Sequence, residues 1–368
     1  MPLIRRVLAL LLIGFLAAAC ASSPPPAPPA RASSCRVVQT PVSVPGVPAP
    51  GRLAGDLCTP AAGNGTVLLL VAGGGENADY WNLPELSSGS FVRAALAEGY
   101  ATYALDRLGT GRSTVPASSK SVTYDAQVST VDQVATALRA GSKAFGTQWH
   151  TVVGIGHSLG SGTLAGVAAR DTGALDALVL TGYGAAVTPE TLQLDKLYQV
   201  PARTVGDRWR GLDDGYVTVL PDKVEQIGLV HGPGTDPHAL AAIGAHQGIL
   251  SDTELASRPQ GPAAAAQAAR IKLPALVAVG QFDRHYCEGN PVGAAPSPTP
   301  QCANAGAFQA YEKKLLPNAC LATNLVAGSG HAIQEELAAP TANTLYLSWL
   351  RATFSGGGAR CAETGPVS

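Results

Sequence analysis

Residues 154 to 162 read Gly-Ile-Gly-His-Ser-Leu-Gly-Ser-Gly, and within them residues 156 to 160 fit the G-x-S-x-G pattern of a nucleophile elbow. A β-branched run at 151 to 155 precedes the pattern, and apolar residues at helical spacing follow it. A strand is therefore predicted to pass directly into a helix at Ser158, placing its hydroxyl where helical N–H groups favour negative charge. Small residues also build tight turns without chemistry, but this strand and helix favour a catalytic nucleophile at Ser158.

The first 19 residues have the pattern of an export signal peptide. Arg5 and Arg6 precede a 13-residue apolar stretch from 7 to 19, which is shorter than the ~20 residues that span a bilayer. The small residues before Cys20 resemble a bacterial lipoprotein processing site, although Ala17 stands where a bulky aliphatic residue is usual. We favour a lipid anchor at Cys20 over release as a soluble protein. Residues 20 to 34 are rich in proline and predict an extended tether.

The cysteine count fits an oxidising compartment. If Cys20 carries lipid, six of the seven cysteines remain for three disulfides: Cys35, Cys58, Cys287, Cys302, Cys320 and Cys361. Six cysteines allow 15 connectivities. Pairing neighbours along the chain, 35 with 58, 287 with 302 and 320 with 361, is the least entangled of them. No pair has C-x-x-C spacing, so a zinc or redox motif has little support. We expect an extracellular protein, secreted or anchored to the outer face of the membrane.

The length and charge of the chain limit the classes of partner that it is expected to bind. Removing 34 residues from the 368 leaves 334 for folding, enough for one large α/β domain with an insertion. Charged residues make up 14% of the chain and the net charge is −1, so no basic surface for nucleic acid is predicted. Contact with a membrane is expected only through the possible lipid anchor. The sequence leaves the oligomeric state open.

Strands and helices alternate along the folded part. A hairpin at 37–44 and 51–58 is followed by predicted strands at 66–72, 100–105, 151–157, 177–181, 273–279 and 321–327, and by helices at 91–98, 124–140, 307–316 and 332–353 as well as after Ser158. This order predicts a mostly parallel sheet flanked by helices, formed by residues 35–187 and 271–368. Residues 188–270 show no clear strands and are predicted to form a mostly helical lid.

A serine needs a base and an orienting acid, and both are found just past predicted strand ends. His331 follows the strand at 321–327 through Gly-Ser-Gly, and Asp283 follows the strand at 273–279 through Gly-Gln-Phe. The chain order Ser158, Asp283, His331 is the order of nucleophile, acid and base in the α/β arrangement. Asp106 also ends a strand, but Arg107 and Arg112 nearby suggest a structural ion pair there.

Two backbone N–H groups are candidates for an oxyanion hole. One belongs to Leu159, directly after the nucleophile, and the other to Gly74 in the glycine-rich turn that follows the strand at 66–72. His157 is expected to turn away from the site and pack behind it, whereas His285 lies close enough to Asp283 to line the pocket.

The motifs together resemble α/β-hydrolase fold serine hydrolases of the secreted actinobacterial type. They are VLLLVAGGG at 67–75, the Asp-Tyr-Trp at 79–81, LDRLGTGRS at 105–113, the elbow, and the turns ending at Asp283 and His331. The resemblance covers about residues 64 to 350 except the lid. Relatives often carry histidine before the oxyanion glycine, where Ala72 stands here. Ser158 excludes the nucleophilic aspartate of dehalogenase and epoxide hydrolase relatives.

These residues predict hydrolysis of a small-molecule carboxylic ester, or a related acyl compound, through an acyl-enzyme on Ser158. No cofactor or metal is implied, because His231, His238 and His246 would need further ligands to share an ion. A peptidase, thioesterase or C–C bond hydrolase would use the same three side chains. A catalytically silent binding protein on this fold is the alternative from another class.

Overall fold

A computed structural model describes residues 33–86, 89–184, 187–188, 197–287, 300–361 and 365–367. The predicted signal peptide, Cys20 and nearly all of the predicted tether lie outside these residues. The first described strand begins at Ser34, the last residue assigned to that tether.

Twelve strands are described, and nine of them form the central sheet. In chain order they are β1 (Ser34–Val42), β2 (Gly51–Thr59), β3 (Thr66–Val71), β4 (Ala101–Leu105), β5 (Thr151–His157), β6 (Ala177–Thr181), β7 (Gln199–Pro201), β8 (Tyr216–Val219), β9 (Leu250–Ser251), β10 (Pro274–Gly280), β11 (Cys320–Val326) and β12 (Gly365–Pro366). The order across the central sheet is β1-β2-β4-β3-β5-β6-β10-β11-β12. The β1–β2 hairpin pairs antiparallel at one edge, as predicted, and β3 to β6 and β10 to β12 run parallel.

Helices cover both faces of this sheet. They are α1 (Phe91–Ala97), α2 (Tyr124–Arg139), α3 (Leu159–Ala169), α4 (Ala239–Ala245), α5 (Asp252–Ala256), α6 (Pro262–Ala268), α7 (Ala305–Glu312) and α8 (Ala339–Phe354). Helices α2, α3 and α7 pack into one hydrophobic core, and α1 and α8 pack into a second core. Central strands such as β3 are buried along their whole length, because both of their faces are covered. The predicted fold class is confirmed.

Local chemistry explains where predicted helix boundaries were wrong. The helix predicted at 332–353 is a short 3-10 turn, Ile333–Glu335, followed by α8 from Ala339. Pro340 lies in the first turn of α8, the one helical position that tolerates its missing N–H. The helix predicted at 307–316 begins earlier, because the Asn304 side chain caps the backbone N–H of Ala307.

The prediction of a helical lid is only partly correct. The described part of residues 188–270 contains the short helices α4 to α6 and also a three-stranded antiparallel sheet, β7-β8-β9. These strands have two to four residues, too few to produce a visible alternation in the sequence. Tyr216 in β8 is buried and donates a hydrogen bond to the Pro116 carbonyl at 2.7 Å, which fastens the insertion to the core.

Three disulfides join the pairs of neighbouring cysteines that were predicted: Cys35–Cys58, Cys287–Cys302 and Cys320–Cys361. The first links residues that face each other across the β1–β2 hairpin. Over the described part of the chain, every helix is too short or too polar to cross a membrane.

Candidate active site

The turn from β5 into α3 holds Ser158 in a strained conformation. Its φ is +49° and its ψ is −117°, a region that residues with a side chain rarely adopt. Flanking glycines allow the close approach, because a Cβ on Gly156 would lie 2.5 Å from the Ser161 backbone nitrogen and one on Gly160 would overlap the Val71 carbonyl. The Ser158 N–H donates to Thr181 at 2.9 Å, which ties the turn to β6. Ser158 thus lies at the sheet edge where the parallel strands end.

Asp283 and His331 form a fully buried pair just past the ends of β10 and β11. Nδ1 of His331 lies 2.8 Å from Oδ2 of Asp283, and Oδ1 accepts the His285 N–H at 2.8 Å. Burial alone would raise the pKa of Asp283, but the charge and hydrogen bond of His331, with a contribution from His285, hold that pKa below its usual range. Asp283 is therefore a carboxylate that can fix the orientation of the His331 ring.

The three sequence-predicted residues lie past the ends of parallel strands at one edge of the sheet. The His331 ring lies 4.8 Å from the ring of His157, the residue directly before Ser158. Nε2 of His331, the nitrogen not bonded to Asp283, has no hydrogen-bond partner among the described residues. It does not contact the Ser158 hydroxyl at hydrogen-bond distance in this structure; such bonds often tighten only when substrate binds.

Two histidines surround His331 in different ways. His285 stacks on it with ring centroids 4.1 Å apart and, as expected, lines the pocket in front of Ser158. His157 is fully buried and stacks on Tyr80 at 4.6 Å, which places it behind the site.

Backbone donors face the same pocket as Ser158. Gly74 and Leu159 both line it, and neither of their N–H groups donates to an acceptor among the described residues. These are the two groups predicted to form the oxyanion hole. Leu159 begins α3, so its N–H also lies at the positive end of a helix.

A buried polar network holds the Gly73–Gly74 turn, and the sequence did not reveal it. Glu76 Oε2 accepts the Gly73 N–H at 2.7 Å, and Arg107 Nη2 donates to the Gly73 carbonyl at 2.9 Å. Arg107 is in turn paired with Glu254 of α5, both side chains being buried. Glu76 Oε1 also lies 3.2 Å from Nε2 of His157. The turn is therefore fixed on both sides, although it lacks the histidine common in relatives.

The structural ion pair predicted at Asp106 is confirmed for one of the two arginines. Arg112 Nε lies 3.0 Å from Asp106 Oδ2. Arg107, the other candidate, instead crosses to Glu254, 147 positions along the chain. A partner so distant in the sequence leaves no recognisable spacing. The proximity of Arg107 to Asp106 in the sequence therefore predicted the wrong ion pair for this arginine.

Glu336 holds the loop that carries His331. Its Oε1 accepts the N–H groups of His231 at 2.7 Å and of Gly330 at 3.2 Å. Burial raises the pKa of Glu336 to about 7, and the two backbone hydrogen bonds act in the opposite direction.

A pocket of about 560 Å³, open to solvent, lies in front of Ser158. Its wall combines aliphatic side chains with polar groups, and about half of its lining residues come from the insertion. The lining residues are Gly74, Ser158, Leu159, Val187, Gln199, Val219, Ile227, Leu229, Leu250, Leu255, Arg258, His285 and Tyr286. A cleft in which apolar side chains surround a few convergent polar groups is typical of a site for a small molecule, and this pocket combines both kinds of group.

The three histidines of the insertion have separate partners. His231 stacks on Phe282 at 4.2 Å, His238 lies 3.2 Å from Asp236, and His246 contacts two carboxylates. Within the described ranges, no three histidine, cysteine or carboxylate side chains are arranged so that they could hold a metal ion.

The model of the Alpha/beta hydrolase family matches residues 68–344. A thermophilic esterase from Thermogutta terrifontis, solved with malate bound, is 18% identical with a TM-score of 0.56, over 85% of this chain and 98% of that one. A putative aryl esterase from Burkholderia cenocepacia is 16% identical with a TM-score of 0.56, over 86% and 99%. An epoxide hydrolase from an endophytic Streptomyces is 20% identical with a TM-score of 0.50, over 90% and 98%.

No curated protein sequence matches the chain. At these low identities the solved structures share the fold, whereas the family pattern spans most of the sequence and includes both Ser158 and His331. The protein belongs to the alpha/beta hydrolase family.

Proposed function

We propose that the protein hydrolyses carboxylic esters through an acyl-enzyme on Ser158. One observation carries the proposal: the ring of the buried Asp283–His331 pair lies 4.8 Å from that of His157, the residue directly before a serine held at positive φ, and the free ring nitrogen of the pair has no partner among the described residues. A weakly nucleophilic hydroxyl needs such an oriented base.

In the first half of the reaction, the Ser158 hydroxyl attacks the ester carbonyl and its proton passes to Nε2 of His331. Asp283 stabilises the resulting imidazolium through the bond at Nδ1, which measures 2.8 Å. The N–H groups of Gly74 and Leu159 bind the oxyanion of the tetrahedral intermediate. When the intermediate collapses, His331 gives the proton to the departing alcohol and an acyl-Ser158 ester remains.

In the second half, water attacks the acyl-Ser158 carbonyl while His331 accepts a proton from it. The second tetrahedral intermediate uses the same two N–H groups. Its collapse returns the proton to Ser158, releases the carboxylic acid and restores the free enzyme.

A fluorophosphonate probe tests this proposal directly. We expect it to label the wild-type protein and not Ser158→Ala. The matched control is Ser355→Ala, which removes an exposed hydroxyl at the end of α8 that, among the described residues, bonds only to the Ala352 carbonyl. Equal labelling of Ser158→Ala, or no labelling of a folded wild-type protein, would refute the acyl-enzyme and favour a binding protein.

We further infer an exported member of the family, of the secreted actinobacterial type, held to the outer face of the cell membrane by lipid at Cys20. The predicted signal peptide and the three disulfides support export. Cys20→Ser should move the protein from the detergent phase to the aqueous phase in cell fractionation. If the wild-type protein already partitions into water, the lipid anchor is wrong.

A further inference from the structure

One lining residue differs from the aliphatic wall of the pocket. Of the described residues that face it, only Arg258 carries a permanent charge. The residue lies just after α5, in a segment joined to the core through Ser257, whose hydroxyl accepts the Tyr124 N–H at 2.9 Å. The charge is therefore held at the boundary between the insertion and the core.

The Arg258 guanidinium has N–H donors that are not used by the described residues. Its Nε donates to the Leu255 carbonyl at 3.2 Å, and within the described part of the chain no carboxylate comes within ion-pair distance of it. Other arginines behave differently: Arg107 and Arg112, for example, are both paired with acids. The two terminal nitrogens of Arg258 remain available to a ligand in the pocket.

Arg258 is half-buried, and it shares the pocket wall with an aromatic side chain, Tyr286. Burial raises the pKa of both Tyr183 and Tyr286, the positive charge of Arg258 acts in the opposite direction on both, and the negative charge of Glu312 adds to the rise. Tyr286 also lines the pocket, and its ring lies 6.0 Å from that of His331. A guanidinium that has no ion-pair partner among the described residues can bind a carboxylate through charge-assisted hydrogen bonds, which are stronger than those between neutral groups.

We propose that Arg258 binds a carboxylate of the substrate, so that the enzyme prefers esters bearing a free carboxylate to neutral esters of the same length. The aliphatic wall contacts the methylene chain between the two groups, and Arg258 accepts the charged end. This inference rests on the proposed esterase function and adds the substrate class to it.

Two pairs of esters test the preference on either side of the scissile bond. Monomethyl adipate is compared with methyl hexanoate, and 4-acetoxybenzoate with 4-methylphenyl acetate, by measuring acid release. We expect kcat/KM of the wild-type enzyme to favour the anionic member of at least one pair by about 10- to 100-fold, the range for a charge-assisted bidentate contact. No preference in either pair would overturn the proposal.

Variants assign the preference to the side chain. Arg258→Gln should lose at least tenfold in kcat/KM on the preferred anionic ester and change by less than threefold on its neutral partner, while Arg258→Lys retains part of the preference. The matched control, Arg210→Gln, removes an exposed cation from the same insertion and should change neither. An equal loss on both esters in Arg258→Gln would indicate a structural role and overturn the proposal.

A binding measurement separates this inference from the esterase proposal. Glutarate, which has no ester to cleave, should bind to Ser158→Ala in calorimetry and bind at least tenfold more weakly when Arg258→Gln is added. Binding that survives the loss of Arg258, or that is absent from Ser158→Ala with intact Arg258, contradicts carboxylate recognition. Probe labelling of Ser158 reports on the esterase proposal independently.

Discussion

One hydrogen bond holds the His331 ring, and the proposed reaction requires a second at the other ring nitrogen. Its Nδ1 is fixed by Asp283 at 2.8 Å, whereas Nε2 has no partner among the described residues. The proposed reaction uses both nitrogens at once, one to hold the ring and the other to carry the proton. Stability and catalysis should therefore respond differently to substitutions at this residue.

His331→Gln should lower kcat/KM on a 4-nitrophenyl ester by about 10³- to 10⁴-fold, because the proton of Ser158 then has no acceptor. The measurement is steady-state hydrolysis, with the melting temperature as the check on folding. The control is His238→Gln, which removes an exposed imidazole that contacts only Asp236 among the described residues and should leave the rate unchanged. Similar rates for the two variants would exclude His331 as the base.

Glu336 gives the protein a stability that depends on pH. Its folded-state pKa of about 7 is above the ordinary glutamate pKa of 4.5, so the folded state holds this proton more tightly than the unfolded chain. The corresponding stabilisation is complete below the unfolded-state pKa and disappears as the pH rises through the folded-state pKa. Ionisation above pH 7 thus leaves a buried charge with two backbone N–H partners.

Glu336→Gln keeps an oxygen acceptor and removes the ionisation. We expect its melting temperature, relative to wild type, to rise between pH 5 and pH 8, corresponding to about 1 to 3 kcal/mol. Burial raises the pKa of the neighbouring Glu335, and the charges of Glu76 and Glu336 raise it further, so the loss of the Glu336 charge also eases the ionisation of Glu335 and acts in the same direction. The control Glu225→Gln replaces an exposed side chain of the insertion, and its melting temperature relative to wild type should not change between pH 5 and pH 8. A difference in melting temperature between Glu336→Gln and wild type that is the same at every pH would contradict the raised pKa of Glu336.

At the scale of elements, three side chains hold the Gly73–Gly74 turn, which carries one of the two proposed oxyanion donors. Glu76 binds its N–H, Arg107 binds its carbonyl, and Glu254 in α5 pairs with that arginine. Donors that are fixed before the reaction stabilise an oxyanion without the cost of reorganisation. The network should therefore affect the transition state more than the binding of substrate.

Glu76→Ala should lower kcat by about 10- to 100-fold with little change in KM, less than the loss of a donor itself. Glu76→Gln retains an acceptor for Gly73 and should recover part of the rate. Binding of phenylboronic acid, which mimics the tetrahedral intermediate, should weaken in parallel. The control is Glu85→Gln, an acid whose contact is with the imidazole of His246. A rise in KM alone would show that Glu76 acts on substrate binding instead.

The elements that the sequence predicted well are those with a local signal. β3 is apolar along its whole length, and the glycines around Ser158 mark a strand-to-helix turn. The strands of the insertion are too short for periodicity, and β12 has only two residues. The Arg107–Glu254 pair depends on how distant segments dock. Ser158, Asp283 and His331 could be proposed from sequence because each lies in the turn or loop that follows a strand of one parallel sheet.

Across the whole molecule, three disulfides add to the stability of the folded core. They close segments of 23, 15 and 41 residues, and chain entropy predicts about 3 to 4 kcal/mol for each. Together they amount to about 10 kcal/mol, comparable with the total stability of about 5 to 15 kcal/mol found in most domains. The reduced protein should thus be marginally stable, which agrees with the proposed export to an oxidising compartment.

Urea unfolding of the Cys20→Ser protein, with and without reductant, measures this contribution, because the remaining six cysteines are all paired. Complete reduction, verified by six titratable thiols, should lower the midpoint steeply and bring unfolding close to ambient conditions. Replacing both cysteines of one pair by serine should give about a third of that effect, with Cys320 and Cys361 contributing most because they close the longest segment. If the midpoint is unchanged after verified reduction, the two hydrophobic cores alone hold the fold, and the cysteines then give no argument for an oxidising location.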